Sequence, residues 1–419
     1  MTLTNDLSPR LLEAKAGTTV VSHKPHEAWL ALTGRCNLSC LHCPRDPETA
    51  SNESLTDTVL QKVFDDIFPH LDTLLLGGNN LGEQFMSRGA ERVVDEATRQ
   101  GLRIAVTTNA SVVRPALIRK LVAAGAEFRL SMEGLQGGWE EIRGARWTTF
   151  QKFLGELDQA RAESTNGCTV NIGFTAFASN IECLPDVIRF AKEIRASRVQ
   201  VQHLLPVHPN QRFQSLMFHR TTTNRIFDES EELAKALGVS LHLPARFPVG
   251  GMDKTDAPES DEGQEALAPC YYPWKAVNIL ENGDVTPCGI STEMIMGNLK
   301  QQSFDEIWNG KSYQRLRARI NTKPYGMCKN CAMREGGNNK PAALANILEN
   351  RSVVRMGTRA LKRFLIRRGR KDLIKHLSDV RASTVRGWTT FRNDPRLIVG
   401  KIVQGVKSRL SRPGAPRRM

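Results

Sequence analysis

Ala28-Trp-Leu-Ala-Leu-Thr33, followed after two residues by Cys36-Asn-Leu-Ser-Cys-Leu-His-Cys43, decides how the chain is read. The apolar run has the length and composition of a strand, and the cysteines behind it stand at C-x3-C-x2-C spacing. Three thiolates at that spacing hold a cube of iron and sulfide and leave one iron without a protein ligand. A fully ligated electron-transfer cluster needs a fourth cysteine close by, and the next along the chain is Cys168. The open iron is therefore a place where chemistry can start. The rival reading is zinc, which prefers paired C-x2-C arms closing a tetrahedron.

Outward from this loop, short apolar runs alternate with helical patterns, the mark of a parallel α/β sheet. Strands are expected at 28–33, 72–76, 103–107, 127–131, 170–175 and 199–204. Helices with apolar residues three and four apart are expected at 56–67, 88–99, 115–123, 148–163 and 184–195. The 419 residues and 40% hydrophobic content suffice for two domains with a sizeable core. The nine cysteines are clustered rather than spread as a disulfide scaffold, which points to a reducing compartment. No run reaches the ~18 apolar residues that span a bilayer, and the polar stretch from Met1 to Pro25 does not read as a signal peptide. A cytoplasmic enzyme is expected.

The cysteine loop behind the first strand resembles the signature of the radical S-adenosylmethionine superfamily. The resemblance implies a partial (βα)6 barrel over 27–240, with function at the C-terminal ends of the strands. It also implies that S-adenosylmethionine is chelated at the open iron of a 4Fe-4S cluster on Cys36, Cys40 and Cys43. An electron from a donor such as flavodoxin or ferredoxin then cleaves the cofactor to methionine and a 5′-deoxyadenosyl radical. Gly77-Gly-Asn-Asn-Leu-Gly-Glu83 looks like a stretched form of the family's Gly-Gly-Glu motif, although Gln84 stands where the family often has proline. On this resemblance Gly82 and Glu83 hold the cofactor's methionyl ammonium. Asn109 in Thr107-Thr-Asn109, Ser131 in Ser131-Met-Glu-Gly134, and Arg143 resemble positions near its ribose and carboxylate. Capping and surface pairing are the plainer readings of Ser131 and Arg143.

A second cysteine group begins at Cys270, with Gly283 after twelve residues and Cys288 after four more, and closes with Cys328-Lys-Asn-Cys331. The Asn-Gly turn inside Val277-Asn-Ile-Leu-Glu-Asn-Gly-Asp-Val285 is a hairpin signal that brings Cys270 and Cys288 together. With Gly297-Asn-Leu299 and Phe304-Asp-Glu-Ile-Trp308, the segment 268–335 resembles a SPASM or twitch extension carrying one auxiliary 4Fe-4S cluster on all four cysteines. A zinc ribbon is the alternative. Cys168 reads as a buried small hydrophobe. Cys183, after strand five, is a candidate hydrogen donor to a substrate radical, against a packing role at a helix start. His203, His208, His219, Asn210 and Arg212 are candidates for a substrate pocket.

Residues 351–419 carry 20 Lys and Arg against 3 Asp, so the net +14 of the whole leaves −3 for the first 350 residues. The expected division is an N-terminal segment 1–26, the barrel, a linker 241–267, the extension, and a basic, helical tail 336–419. Mixed apolar and basic runs such as Leu361–Arg368 suit peripheral contact with an anionic membrane face. Aromatics for stacking are few, which disfavours nucleic acid. The expected reaction is hydrogen-atom abstraction from a small hydroxylated, sugar-like or lipid-linked substrate. Maturation of a ribosomal peptide is the alternative, and a non-catalytic electron carrier or RNA-binding protein a more distant one.

Overall fold

The computed structural model describes residues 9–45, 50–77, 82–206, 209–248, 269–289, 294–325, 328, 331 and 334. The chain enters through helix α1 (Pro9–Ala16). Seven strands then run parallel and lie side by side in chain order: β1 (Glu27–Leu30), β2 (Thr73–Leu76), β3 (Arg103–Thr108), β4 (Glu127–Ser131), β5 (Thr169–Ala176), β6 (Arg198–His203) and β7 (Ser240–His242). The connecting helices are α2 (Asp57–Asp66), α3 (Ala90–Arg99), α4 (Pro115–Ala123), α5 (Gln136–Arg143), α6 (Trp147–Glu163), α7 (Leu184–Glu193) and α8 (Arg220–Leu237). The six expected strands and five expected helices all form within three residues of their expected bounds. Helices α5 and α8 and strand β7 are additions. The expected tail, and the linker from residue 249 to 267, lie outside the described residues.

Local chemistry sets the element ends. Thr56 caps α2 by accepting from the Val59 amide. Pro115 opens α4 where no amide is needed, and α5 and α8 stop at Gly144 and Gly238, whose φ angles of 73° and 66° suit glycine. Strand β1 is shorter than its apolar run because Ala31–Thr33 turn to other partners. Leu32 N donates to Gln84 Oε1 at 2.7 Å, and Thr33 bridges Ser54.

Side chains alternate across the strands. One set, including Leu30, Leu76, Val106, Phe128, Ile172 and Val201, is buried under the helices as the main core. There Phe153 of α6 meets Phe85 and Phe128 edge-on, at 5.4 and 6.4 Å between centroids. The other set faces the inner side: Trp29, Leu75, Ala105 and Ala276 form a small separate cluster, and Arg129, Ser131, Thr175, Gln200 and Gln202 continue this face on β4 to β6.

The cysteine-rich extension prolongs this same sheet. After helix α9 (Tyr272–Lys275), strand β8 (Ala276–Ile279) pairs parallel with β1, Leu30 opposite Ile279. The expected hairpin follows: β9 (Asp284–Thr286) returns antiparallel, with Gly283 at φ 86° in the turn, and β10 (Gly297–Asn298) closes the edge. Sheet order is therefore β10-β9-β8-β1-β2-β3-β4-β5-β6-β7. Helices α10 (Phe304–Trp308) and α11 (Lys311–Arg319) complete the extension.

Residues 18–23 tie the extension to the sheet. The indoles of Trp274 and Trp308 donate to Thr18 O and His23 O, each at 2.7 Å. Arg317 is 2% exposed. It donates to Pro273 O and Thr19 O at 3.0 Å and stacks on Trp308 and Tyr313. Replacing it with alanine strands two carbonyls and removes packing from both rings. The Arg317→Ala chain should lose about 3 kcal/mol of unfolding free energy, read from the urea midpoint at constant slope.

Candidate iron–sulfur sites

The first site lies beyond the C-terminal end of β1. Cys43 N donates to Cys40 O at 3.1 Å, and Leu41 N to Ile142 O at 3.0 Å, so the loop coils against the end of α5. Gln211 supports it from the β6–α8 connection, donating to Leu41 O and Cys43 O at 3.0 and 3.3 Å. Burial pushes all three thiols up, Cys40 to about 12, with Cys36 and Cys43 acting on it as nearby like charges. Three thiols near one another on one loop, which also offers Arg45 N to Cys43 Sγ at 3.4 Å, suit a metal–sulfur cluster. Loading must release their protons.

Glu83 stands beside this loop, buried. Its Oε1 accepts from Thr108 Oγ1 at 2.9 Å and Phe85 N at 3.1 Å, and its Oε2 from Asn109 N at 2.8 Å. Burial raises its pKa, and these donors oppose the rise. A carboxylate accepts about four hydrogen bonds, so one position is left. Gly82 is forced: a Cβ there would collide with the Thr33 carbonyl. Asn109 Nδ2 reaches Cys36 Sγ at 3.8 Å and Asn37 Oδ1 at 3.2 Å, which ties the end of β3 to the cysteine loop. Ser131 is half-buried on the inner face.

Arg143 is brought to the same place, but not as a surface residue. It is 4% exposed and forms an ion pair with Glu133, which is 1% exposed. Its Nη1 donates to Cys40 Sγ at 3.9 Å, and its Nε has no hydrogen-bond partner among the described residues. Glu133, His42 and Gln211 were not singled out by sequence. Glu133 lies inside the Ser131–Gly134 motif and His42 inside the cysteine loop, so their positions were visible while their pairing was not.

Cys183 is placed at the start of α7, its thiol donating to Glu133 O at 3.6 Å and pushed by burial to about 12. It packs against the helix-side core and lines an outer groove of about 900 Å³ with Leu135, Trp147 and Phe190. These contacts suit packing at a helix start. His203 likewise packs on the helix side, 4.9 Å from Phe247 and 6.2 Å from Phe227, and burial lowers its pKa to about 4. His208 lies outside the described residues.

The second site gathers Cys270, Cys288, Cys328 and Cys331. Burial raises Cys270 to about 11 and Cys328 to about 12; Cys270 feels Cys288 and Cys331 as like charges, and Cys328 feels Cys288, Cys270 and Cys331. Two residues the sequence did not flag hold the frame. Asn321 Oδ1 accepts from Cys270 N at 2.8 Å, and Arg334 donates to Cys328 O at 2.6 Å and to Asn321 Oδ1 at 3.3 Å. Among the described residues no three His, Cys, Asp or Glu side chains close around a single ion.

Residues 270–332 match the SPASM family, an iron–sulfur cluster-binding domain. The chain thus carries a SPASM-type iron–sulfur domain, and most of its length is similar to enzymes that use S-adenosylmethionine. An AdoMet-dependent heme synthase of Methanosarcina barkeri is 26% identical over 303 residues, covering 69% of this chain and 84% of that protein. A PqqA peptide cyclase of Xanthomonas oryzae pv. oryzae is 26% identical over 321 residues, 74% and 81%. Among solved structures, anSMEcpe with bound AdoMet superposes with a TM-score of 0.54 at 15% identity, covering 80% of this chain and all of that one. Streptococcus suis SuiB bound to precursor peptide SuiA gives 0.53 at 14%, covering 74% and 70%. At such identities these two establish the fold.

The Gly82 contact makes a prediction. Gly82→Ala should push Thr33, and the loop that follows it, out of place. Iron retained after anaerobic reconstitution should fall by about half, since one of two clusters is affected. Iron equal to wild type would show that the loop absorbs the methyl group.

Proposed function

We propose that this chain abstracts a hydrogen atom from a side chain of a peptide, using S-adenosylmethionine and a 4Fe-4S cluster on Cys36, Cys40 and Cys43. The observation that carries this reading is the likeness to the PqqA peptide cyclases, which the peptide-bound SuiB structure supports. At 321 residues that likeness exceeds the strand-and-helix region 27–240 and so must extend beyond it. The inner strand face supports it. Ser131, Thr175, Gln200 and Gln202 offer hydroxyl and amide groups, with Gln202 Nε2 donating to Thr175 Oγ1 at 3.1 Å. Such a wall matches the amides of a peptide better than it matches a lipid. The expected small hydroxylated or lipid-linked substrate has no counterpart among the relatives named above.

When bound, the cofactor supplies a 5′-deoxyadenosyl radical on one-electron reduction by an external donor. The residues around the loop position it. The free acceptor position on Glu83 and the carbonyl of Gly82 suit an ammonium, and the unpartnered Nε of Arg143 suits a carboxylate. Asn109 and Ser131 edge the same space. The second cysteine group, fully ligated, suits electron relay rather than substrate binding.

Two outcomes test the reading. The anaerobically reconstituted chain should hold about eight irons. Alanine at Cys36, Cys40 or Cys43 should abolish release of 5′-deoxyadenosine, while alanine at Cys328 should spare that release and suppress product formation. Incubation with peptides encoded beside the gene should then yield a product altered in mass. Cofactor cleavage without any altered peptide would return the substrate to a small molecule.

A further inference from the structure

Glu133 reaches the first cysteine loop by two routes. It pairs with Arg143, whose Nη1 lies 3.9 Å from Cys40 Sγ, and its Oε1 lies 3.5 Å from Nε2 of His42, the residue before Cys43. His42 is held in place by stacking on Phe177, 5.8 Å between centroids and 23° between planes. Glu133 is itself fixed from β5, accepting from Thr175 N at 3.4 Å. The return contact, from Cys40 Sγ to the carbonyl of Arg143 at 3.9 Å, locks α5 to the loop.

A buried ion pair is a weak source of net stability, because desolvation of both charges offsets their attraction, and packed apolar residues would serve as well. Beside a ligating thiolate the pair does something apolar residues cannot. It sets the sign and position of charge next to the sulfur, in an interior where charges act strongly on one another.

We propose that Glu133 is a positioning residue that holds Arg143 against Cys40 and balances its charge, so that the pair sets the reduction potential of the cluster on Cys36, Cys40 and Cys43. This rests on the iron–sulfur reading of that loop. Reduction adds negative charge to the cluster. Arg143 favours it, and Glu133, one residue further from the sulfur, opposes it. Removing the carboxylate charge should raise the midpoint potential, removing the guanidinium should lower it, and removing both should bring it between the two.

The test uses the full chain, reconstituted anaerobically, in wild-type, Glu133→Gln, Glu133→Asp, Arg143→Gln and double Glu133→Gln/Arg143→Gln forms. Iron and sulfide per chain are measured first. The midpoint is then followed by electron paramagnetic resonance on the signal that Cys36→Ala lacks. Opposite shifts in the single variants, an intermediate double variant and a near-wild-type Asp variant are expected. If Glu133→Gln alone fails to hold iron and the double variant regains it, the pairing is supported, since the lesion is then the stranded Arg143 charge. Full iron with an unchanged midpoint, or shifts of the same sign, would overturn the proposal and leave the cluster assignment standing. Loss of iron in both Glu133→Gln and the double variant would also overturn it, by making Glu133 a folding residue only. A wild-type chain that takes up no iron would overturn the cluster reading itself, and this proposal with it.

Discussion

The parallel pairing of β1 with β2 on one side and β8 on the other is the constraint on which the rest depends. A strand hydrogen-bonded along both edges cannot slip in register without breaking two ladders, so the chain leaving β1 at Leu30 departs from a fixed point. Everything that shapes the first site builds on that point. Leu32 is tied to Gln84, Gly82 packs on Thr33, and Asn109 reaches Cys36 from the end of β3. The same pairing draws the extension into the sheet, because β8 is both the partner of β1 and the first arm of the hairpin that leads to Cys288.

Around the first site the protein accepts costs that a structural loop would avoid. Three thiols, two carboxylates and a guanidinium are taken largely out of water within a few contacts of one another. Each is tolerable because it is paired or hydrogen-bonded: Glu83 by three donors, Arg143 by Glu133 and Cys40. Concentrated polar burial of this kind is what a site needs when charge has to change on a bound group without water rearranging around it. The second site uses different means. There a backbone amide, an asparagine and Arg334 serve the cysteine frame.

Most of the fold was legible in the sequence, because strands buried under helices are written as short apolar runs and their helices as amphipathic repeats. The seven cysteines were legible for a different reason: their spacing alone carries the chemistry. Strand β7 was missed because three residues, Ser240-Leu-His242, have no periodicity to read. Helix α5 was missed because Gln136-Gly-Gly138 opens it with weak helix formers. The partnerships of Glu133, Asn321 and Arg334 were hidden because they join residues from 6 to 91 positions apart, a distance across which sequence carries no contact information. Arg143, by contrast, was seen as a candidate, but its burial could not be read from an ordinary Glu-Glu-Ile-Arg helix end.

The place of β8 also governs how the chain comes into being. Glu27 pairs with Ala276, so during synthesis β1 has only one of its neighbours until most of the polypeptide has left the ribosome. Until then the edge of β1 is an open template, and the residues that pack from the extension onto the N-terminal segment are missing. Pairings so distant along the chain are slow to form. Cys36, Cys40 and Cys43 are thus among the first thiols made, yet their loop is among the last to be braced on every side. Completion of the sheet on both sides of β1 therefore waits for the residues from Ala276 onward.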